Sequence, residues 1–192
     1  MENPTSWERI DGRREFEGRV FDVWRDRIRI ERGGEARESV FEVVRHPGAV
    51  AVVALHEDGA VALLRQFRYA ADGVIWEIPA GTLEAEESFE ACAERELVEE
   101  IGFRAARWTP LATLFTTPGF CDERMRIFLA EDLVEAEVAP EEDELLEVVR
   151  VPLAEALGRA ERGEIPDAKT MVGLFLARAR LESEGRWPIP PA

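Results

Sequence analysis

The chain has 192 residues, 46% hydrophobic and 33% charged, which supports a packed core and excludes disorder over most of its length. A net charge of −16 argues against general nucleic-acid binding, which needs the opposite field, and no apolar run approaches a membrane span. Two cysteines, Cys92 and Cys121, exclude a disulfide scaffold and form no CxxC zinc pair. The polar, mixed-charge start over residues 1–18 has neither a secretory nor a transit pattern, so a reducing, cytoplasmic setting is expected.

Residues 18–31 alternate Val, Phe, Trp and Ile as a strand does, Gly33-Gly34 reads as a turn, and residues 39–45 return as a second strand. After the break at His46-Pro47-Gly48, residues 49–55 and 60–65 predict two strands around Glu57-Asp58-Gly59. The first is apolar on both faces and belongs in the centre of a covered sheet. A short strand over 74–78 runs into Pro79-Ala80-Gly81. A helix follows over 88–101, with Ser88 as N-cap and Gly102 just past its end. Strands over 108–115, 124–130 and 145–151 and helices over 152–162 and 167–184 complete the chain. The expected fold class is α+β, with a mixed sheet and packed helices. Residues 1–47 form a small N-terminal antiparallel β-sheet, and residues 48–192 form the catalytic-sized domain.

The negative charge is concentrated. Residues 1–47 carry 10 Arg against 11 acids, whereas residues 81–103 carry 8 Glu and one Arg, and residues 131–147 carry nine acids and no base. Clustered carboxylates need a counterion, which points to a divalent-cation site. On the 88–101 helix, Glu96 and Glu100 stand one turn apart on one face. At roughly 100° per residue they share an arc with Phe89, Cys92 and Ala93. Hard carboxylate oxygens on a partly apolar arc suit magnesium or manganese. The alternative is an exposed Glu-rich helix, since Glu is a strong helix former.

The whole segment, GTLEAEESFEACAERELVEEIGF, resembles the Nudix hydrolase signature at Gly81, Glu87, Arg95, Glu96, Leu97, Glu99, Glu100, Gly102 and Phe103. The resemblance implies an α/β/α sandwich, with a mixed sheet flanked by helices. It also implies a loop–helix–loop that binds Mg2+ (or Mn2+) and hydrolysis of a nucleoside diphosphate linked to another moiety. By the same resemblance Glu96 and Glu100 are direct metal ligands, Glu99 is an additional or water-mediated one, and the Ala80 carbonyl is a backbone ligand. Gly81 is expected to supply a sharp turn. Glu87 and Arg95 are expected to pin the loop to the helix as an ion pair, and Gly102 belongs to the box structurally.

Residues 14–180 resemble the ADP-ribose pyrophosphatase branch of that family, through WEIPAGTLE at 76–84 and through Pro118, which lies 16 positions after Gly102. This implies cleavage of ADP-ribose to AMP and ribose 5-phosphate by a homodimer. The exchanged N-terminal sheets would complete each partner's pocket. Gly18-Arg19-Val20-Phe21 matches the branch and makes Val20 and Phe21 candidates for adenine contact, with ordinary strand core as the alternative. Arg65 and Arg68 are candidates to grip the diphosphate, although Arg65 is also placed to pair with a nearby carboxylate. Glu142 aligns with the branch's general base, with Glu141 and Glu144 as rivals. Two further readings stay open: a hydrolase of another nucleoside diphosphate sugar or dinucleotide, and a non-catalytic ADP-ribose-binding sensor. The intact set of box glutamates disfavours the sensor.

Overall fold

The computed structural model describes residues 5–136 and 146–188. The chain divides into two units, one built on the residues up to Gly48 together with Phe115–Arg124, the other on Ala49–Leu114 and Met125 onward.

In the first unit, β1 (Thr5–Glu17), β2 (Asp22–Arg32) and β3 (Glu35–Arg45) form an antiparallel sheet in that order. The turn between β2 and β3 is Gly33-Gly34, with φ of 61° and 86°, values that glycine adopts without strain. β1 is a strand that apolar alternation does not predict. Its register is held instead by cross-strand charge pairs: Glu8 with Arg29, Arg9 with Asp26, Asp11 with Arg27, and Arg14 with Asp22. Such pairs contribute about 0.2–1 kcal/mol each, so they select the register more than they stabilise the sheet. Asp26 is the exception in burial, and both its oxygens are taken, by Arg9 and Arg45. Phe115–Arg124 joins this unit through backbone bonds, Val44 N to Phe120 O at 2.8 Å and Asp122 N to Val44 O at 3.1 Å.

The second unit is organised by β4 (Ala49–Ala54), in which all six residues are buried. Because strand side chains alternate faces, Ala49, Ala51 and Val53 enter one core while Val50, Val52 and Ala54 enter another. The expected two-sided burial is therefore present. Helix α1 (Phe89–Ile101) fills the second core with Cys92, Ala93, Leu97 and Ile101. Helices α2 (Leu153–Glu161) and α3 (Ala168–Ser183) fill the first with Leu153, Ala156, Leu157, Leu174, Ala177 and Leu181. The result is the expected α/β/α sandwich. Each fully buried Leu contributes about 1.5–3 kcal/mol, and Leu97→Ala would cost about 2–5 kcal/mol.

Between those layers lie two sheets. One joins β7 (Ala80–Thr82), β4, β9 (Arg124–Glu135) and β8 (Phe103–Phe115), with β4 parallel to β9 and antiparallel to β7. The other joins β10 (Leu146–Pro152), β5 (Ala60–Arg68) and β6 (Gly73–Glu77). β8 begins five residues before the expected 108, and β7 occupies a stretch expected to be a turn. No helix among the described residues is long and apolar enough to cross a membrane.

Candidate active site

Helix α1 begins where its sequence says it should. Ser88 Oγ accepts from Ala91 N at 3.1 Å, and Gly102 closes the helix at φ 73°, its N–H reaching the Leu97 and Val98 carbonyls. These two ends set the limits of the helix, and its buried face of Cys92, Ala93, Leu97 and Ile101 sets its rotation and with it the directions of Glu96, Glu99 and Glu100.

At the centre stands Arg95, whose five N–H donors are all engaged. Nε and Nη2 fork onto the two Glu87 oxygens, both at 3.0 Å, and Nη2 also reaches the Thr82 carbonyl at 3.2 Å. Nη1 bridges Glu96 at 2.7 Å and Glu99 at 2.9 Å. The loop-to-helix ion pair expected of Glu87 and Arg95 is thus formed, and the same guanidinium also gathers the helix glutamates. The Arg95 hydrogen bond, with the Glu84 amide and the nearby guanidinium charge, holds the Glu87 carboxyl at about 2, well below its ordinary 4.5. Arg95 itself is driven upward, chiefly by Glu87. Beside them, burial pushes the Cys92 thiol up to about 12, so it is a packing group here.

Glu100 is 6% exposed, and its Oε2 accepts from the Ala80 amide at 2.8 Å. Glu96 lies directly over Gly81: a Cβ added there would fall 1.7 Å from Glu96 Oε1. Gly81 sits in β7 and is not among the positive-φ glycines. The expected sharp turn is therefore corrected. What the position requires is the absence of a side chain, so that the Glu96 carboxylate can approach the backbone.

The box places two helix carboxylates, Glu96 and Glu99, against one guanidinium that Glu87 already occupies, and a third, Glu100, on the Ala80 amide. That excess of negative charge, offered by oxygen donors alone, fits a hard divalent cation. Among the described residues no group of three or more His, Cys, Asp or Glu side chains is gathered so as to hold a metal ion. The fit therefore rests on the donor chemistry and on the cradle that Gly81 leaves for Glu96.

The other sequence candidates fall in different places. Arg65 and Arg68, three apart on β5, do not act together. Arg65 pairs with Glu147 at 2.9 Å and lies over the Trp76 ring, as the carboxylate-pairing alternative had it. Arg68 forks through Nε and Nη2 onto Glu77, at 2.7 and 2.8 Å. Burial alone would raise the Glu77 carboxyl, yet hydrogen bonds and charge from Arg68 and Lys169 hold it below its ordinary range. Glu77 and Lys169 are residues that sequence reasoning missed. Glu77 lies inside the WEIPAGTLE stretch, as a lone acid in an apolar strand pattern, and that is the cue that could have singled it out.

In the first unit, Val20 and Phe21 lie in the link between β1 and β2 and are exposed, at 48% and 43%. Ordinary strand core is excluded for them. Pro118 lines an open apolar hollow of about 610 Å³ with Trp7, Ile28, Ile30, Phe41 and Val43. Glu142 and its rivals Glu141 and Glu144 lie outside the described residues.

Comparison with known proteins agrees with this geometry. The NUDIX domain family model matches residues 45–172. An ADP-ribose pyrophosphatase of Bacillus subtilis is 41% identical over 157 residues, covering 81% of this chain and 83% of its own. One of Mycobacterium tuberculosis is 38% identical over 165 residues, covering 84% of this chain and 78% of its own. A crystal structure of an ADP compounds hydrolase superposes with a TM-score of 0.81 at 27% identity, covering 97% of this chain and all of the other. With the loop–helix box, the two-sided sandwich and these relatives in agreement, the chain belongs to the Nudix hydrolase family.

Proposed function

We propose that this protein hydrolyses the pyrophosphate bond of ADP-ribose, adding water across it to release AMP and ribose 5-phosphate. One observation carries the reading: Glu96 seated over Gly81 and Glu100 on the Ala80 amide, in a chain 41% identical to an ADP-ribose pyrophosphatase. Magnesium or manganese, held by Glu96, Glu100, Glu99 and the Ala80 carbonyl, would polarise the phosphoryl oxygens and acidify a bound water. Arg95 keeps two of those carboxylates in place, and its full set of donors leaves no freedom to swing away. Arg68 orients the diphosphate, Val20 and Phe21 take the base, and Glu142 serves as the general base.

The same reading includes a homodimer that shares its N-terminal sheets. A three-stranded sheet cannot bury much apolar surface alone, and this one leaves Trp7 69% and Phe41 43% exposed on one face. A second copy meeting the same face would close as a two-fold pair. The acidic balance supports a small-molecule substrate rather than a nucleic acid or membrane surface. The free thiols Cys92 and Cys121 suit a reducing compartment, the cytoplasm.

Product analysis over a panel of nucleoside diphosphate sugars, dinucleotides and triphosphates tests the activity. ADP-ribose is expected to give the highest kcat/KM. A clear preference for a triphosphate or a GDP-sugar would replace the substrate while leaving the family in place.

A further inference from the structure

Outside the box, the most deeply buried charge among the described residues of the second unit is Glu77, at the end of β6 and 1% exposed. A buried carboxylate is destabilising by several kcal/mol unless it is fully paired, and this one has two cationic partners. Arg68 takes one oxygen through Nε and the other through Nη2. Lys169, the chain's single lysine, donates to Oε2. Lys169 Nζ also stands 3.1 Å from Asp167 Oδ2. Asp167 caps α3 through Thr170 N at 3.0 Å, and Thr170 Oγ1 accepts from the Ile78 amide at 2.8 Å, next to Glu77 in the chain. The start of α3 is therefore fastened to the strand that carries Glu77.

The geometry at Arg68 is specific. A fork through Nε and Nη2 uses one hydrogen from each and leaves the Nη1/Nη2 edge, which matches a second pair of oxyanion oxygens. The Arg68 side chain is 41% exposed. Arg68 is raised chiefly by its hydrogen bond to Glu77, and the Glu100 charge in the box acts in the same direction. An arginine fixed in this way loses less conformational freedom when it grips a ligand than a free one does.

We propose that Glu77 and Lys169 are positioning residues that preset the Arg68 guanidinium for the substrate's diphosphate. Glu77 sets the plane of the fork, and Lys169 ties the shared oxygen to the start of α3. This rests on the reading of the site as a nucleoside diphosphate hydrolase and adds to it two residues that lie outside the box.

The test is a double-mutant cycle on the full-length protein, measured with magnesium and ADP-ribose. If the wild type proves to prefer another nucleoside diphosphate sugar, the cycle is run with that compound, so failure of the substrate reading and failure of this one are separate results. Lys169→Met is expected to raise KM roughly three- to tenfold with kcat little changed, and Lys169→Arg to restore most of it. In an Arg68→Ala background, Lys169→Met should change KM less than about twofold, since nothing remains to be positioned. Equal effects in both backgrounds, or an unchanged KM in the wild-type background, would overturn the proposal. Thermal melts accompany each variant. Should Lys169→Met not fold, Glu77→Gln takes its place in the same cycle with the same two outcomes.

Discussion

The Glu96 carboxylate occupies the space that a side chain on Gly81 would need, with Oε1 1.7 Å from the position of a Cβ. Of the two, Gly81 is held in β7 against Val50, whereas the Glu96 carboxylate is the end of a flexible side chain, kept in place by Arg95 at 2.7 Å. Gly81→Ala should therefore displace Glu96 rather than unfold the strand, where alanine is no worse than glycine. A misplacement of this order costs about 100-fold in kcat, with a melting temperature close to wild type. Steady-state kinetics beside a thermal melt checks it, and an unchanged kcat would show that Glu96 need not sit where it does.

Charge can be removed from the box without changing its shape. Glu96→Gln and Glu100→Gln each keep an oxygen for the Arg95 or Ala80 donor but lose a charge. Each should lower turnover by about 100- to 1000-fold and weaken manganese binding measured by calorimetry. Near wild-type rates at saturating magnesium would remove these residues from the metal site.

The ion pair between Glu87 and Arg95 makes an acid-stability prediction. The Glu87 carboxyl is held at about 2 in the fold against an ordinary 4.5, so its stabilising contribution is complete above 4.5 and lost as the pH falls through about 2. Urea midpoints of the wild type should decline through that window more steeply than those of Glu87→Gln. Parallel declines would mean that the pair contributes nothing to folding.

The apolar face of the N-terminal sheet predicts assembly. Phe41→Asp places a charge beside Trp7, Ile28, Ile30 and Val43 in the hollow of the first unit. Sedimentation velocity should find the wild type dimeric at micromolar concentration and the variant shifted towards monomer, with a raised KM for ADP-ribose. A monomeric wild type would end the shared-sheet reading.

Much of the box was legible because its determinants are local. Ser88, Gly102 and the one-turn spacing of Glu96 and Glu100 act within a few residues of one another, where helix geometry is fixed whatever surrounds it. The double-sided burial of β4 was equally readable, since an unbroken apolar run leaves no face for water. β1 escaped because its strand character lies in charges that complement β2, a relation that one strand's pattern does not contain. The Gly81 assignment missed its reason, because close approach by Glu96 depends on how a helix settles on a strand. The fork of Arg68 on Glu77, closed by Lys169 from 92 positions further along, could not be read at all. Pairings of that kind exist only once packing has made water unavailable and left each buried charge to find its counterpart inside the fold.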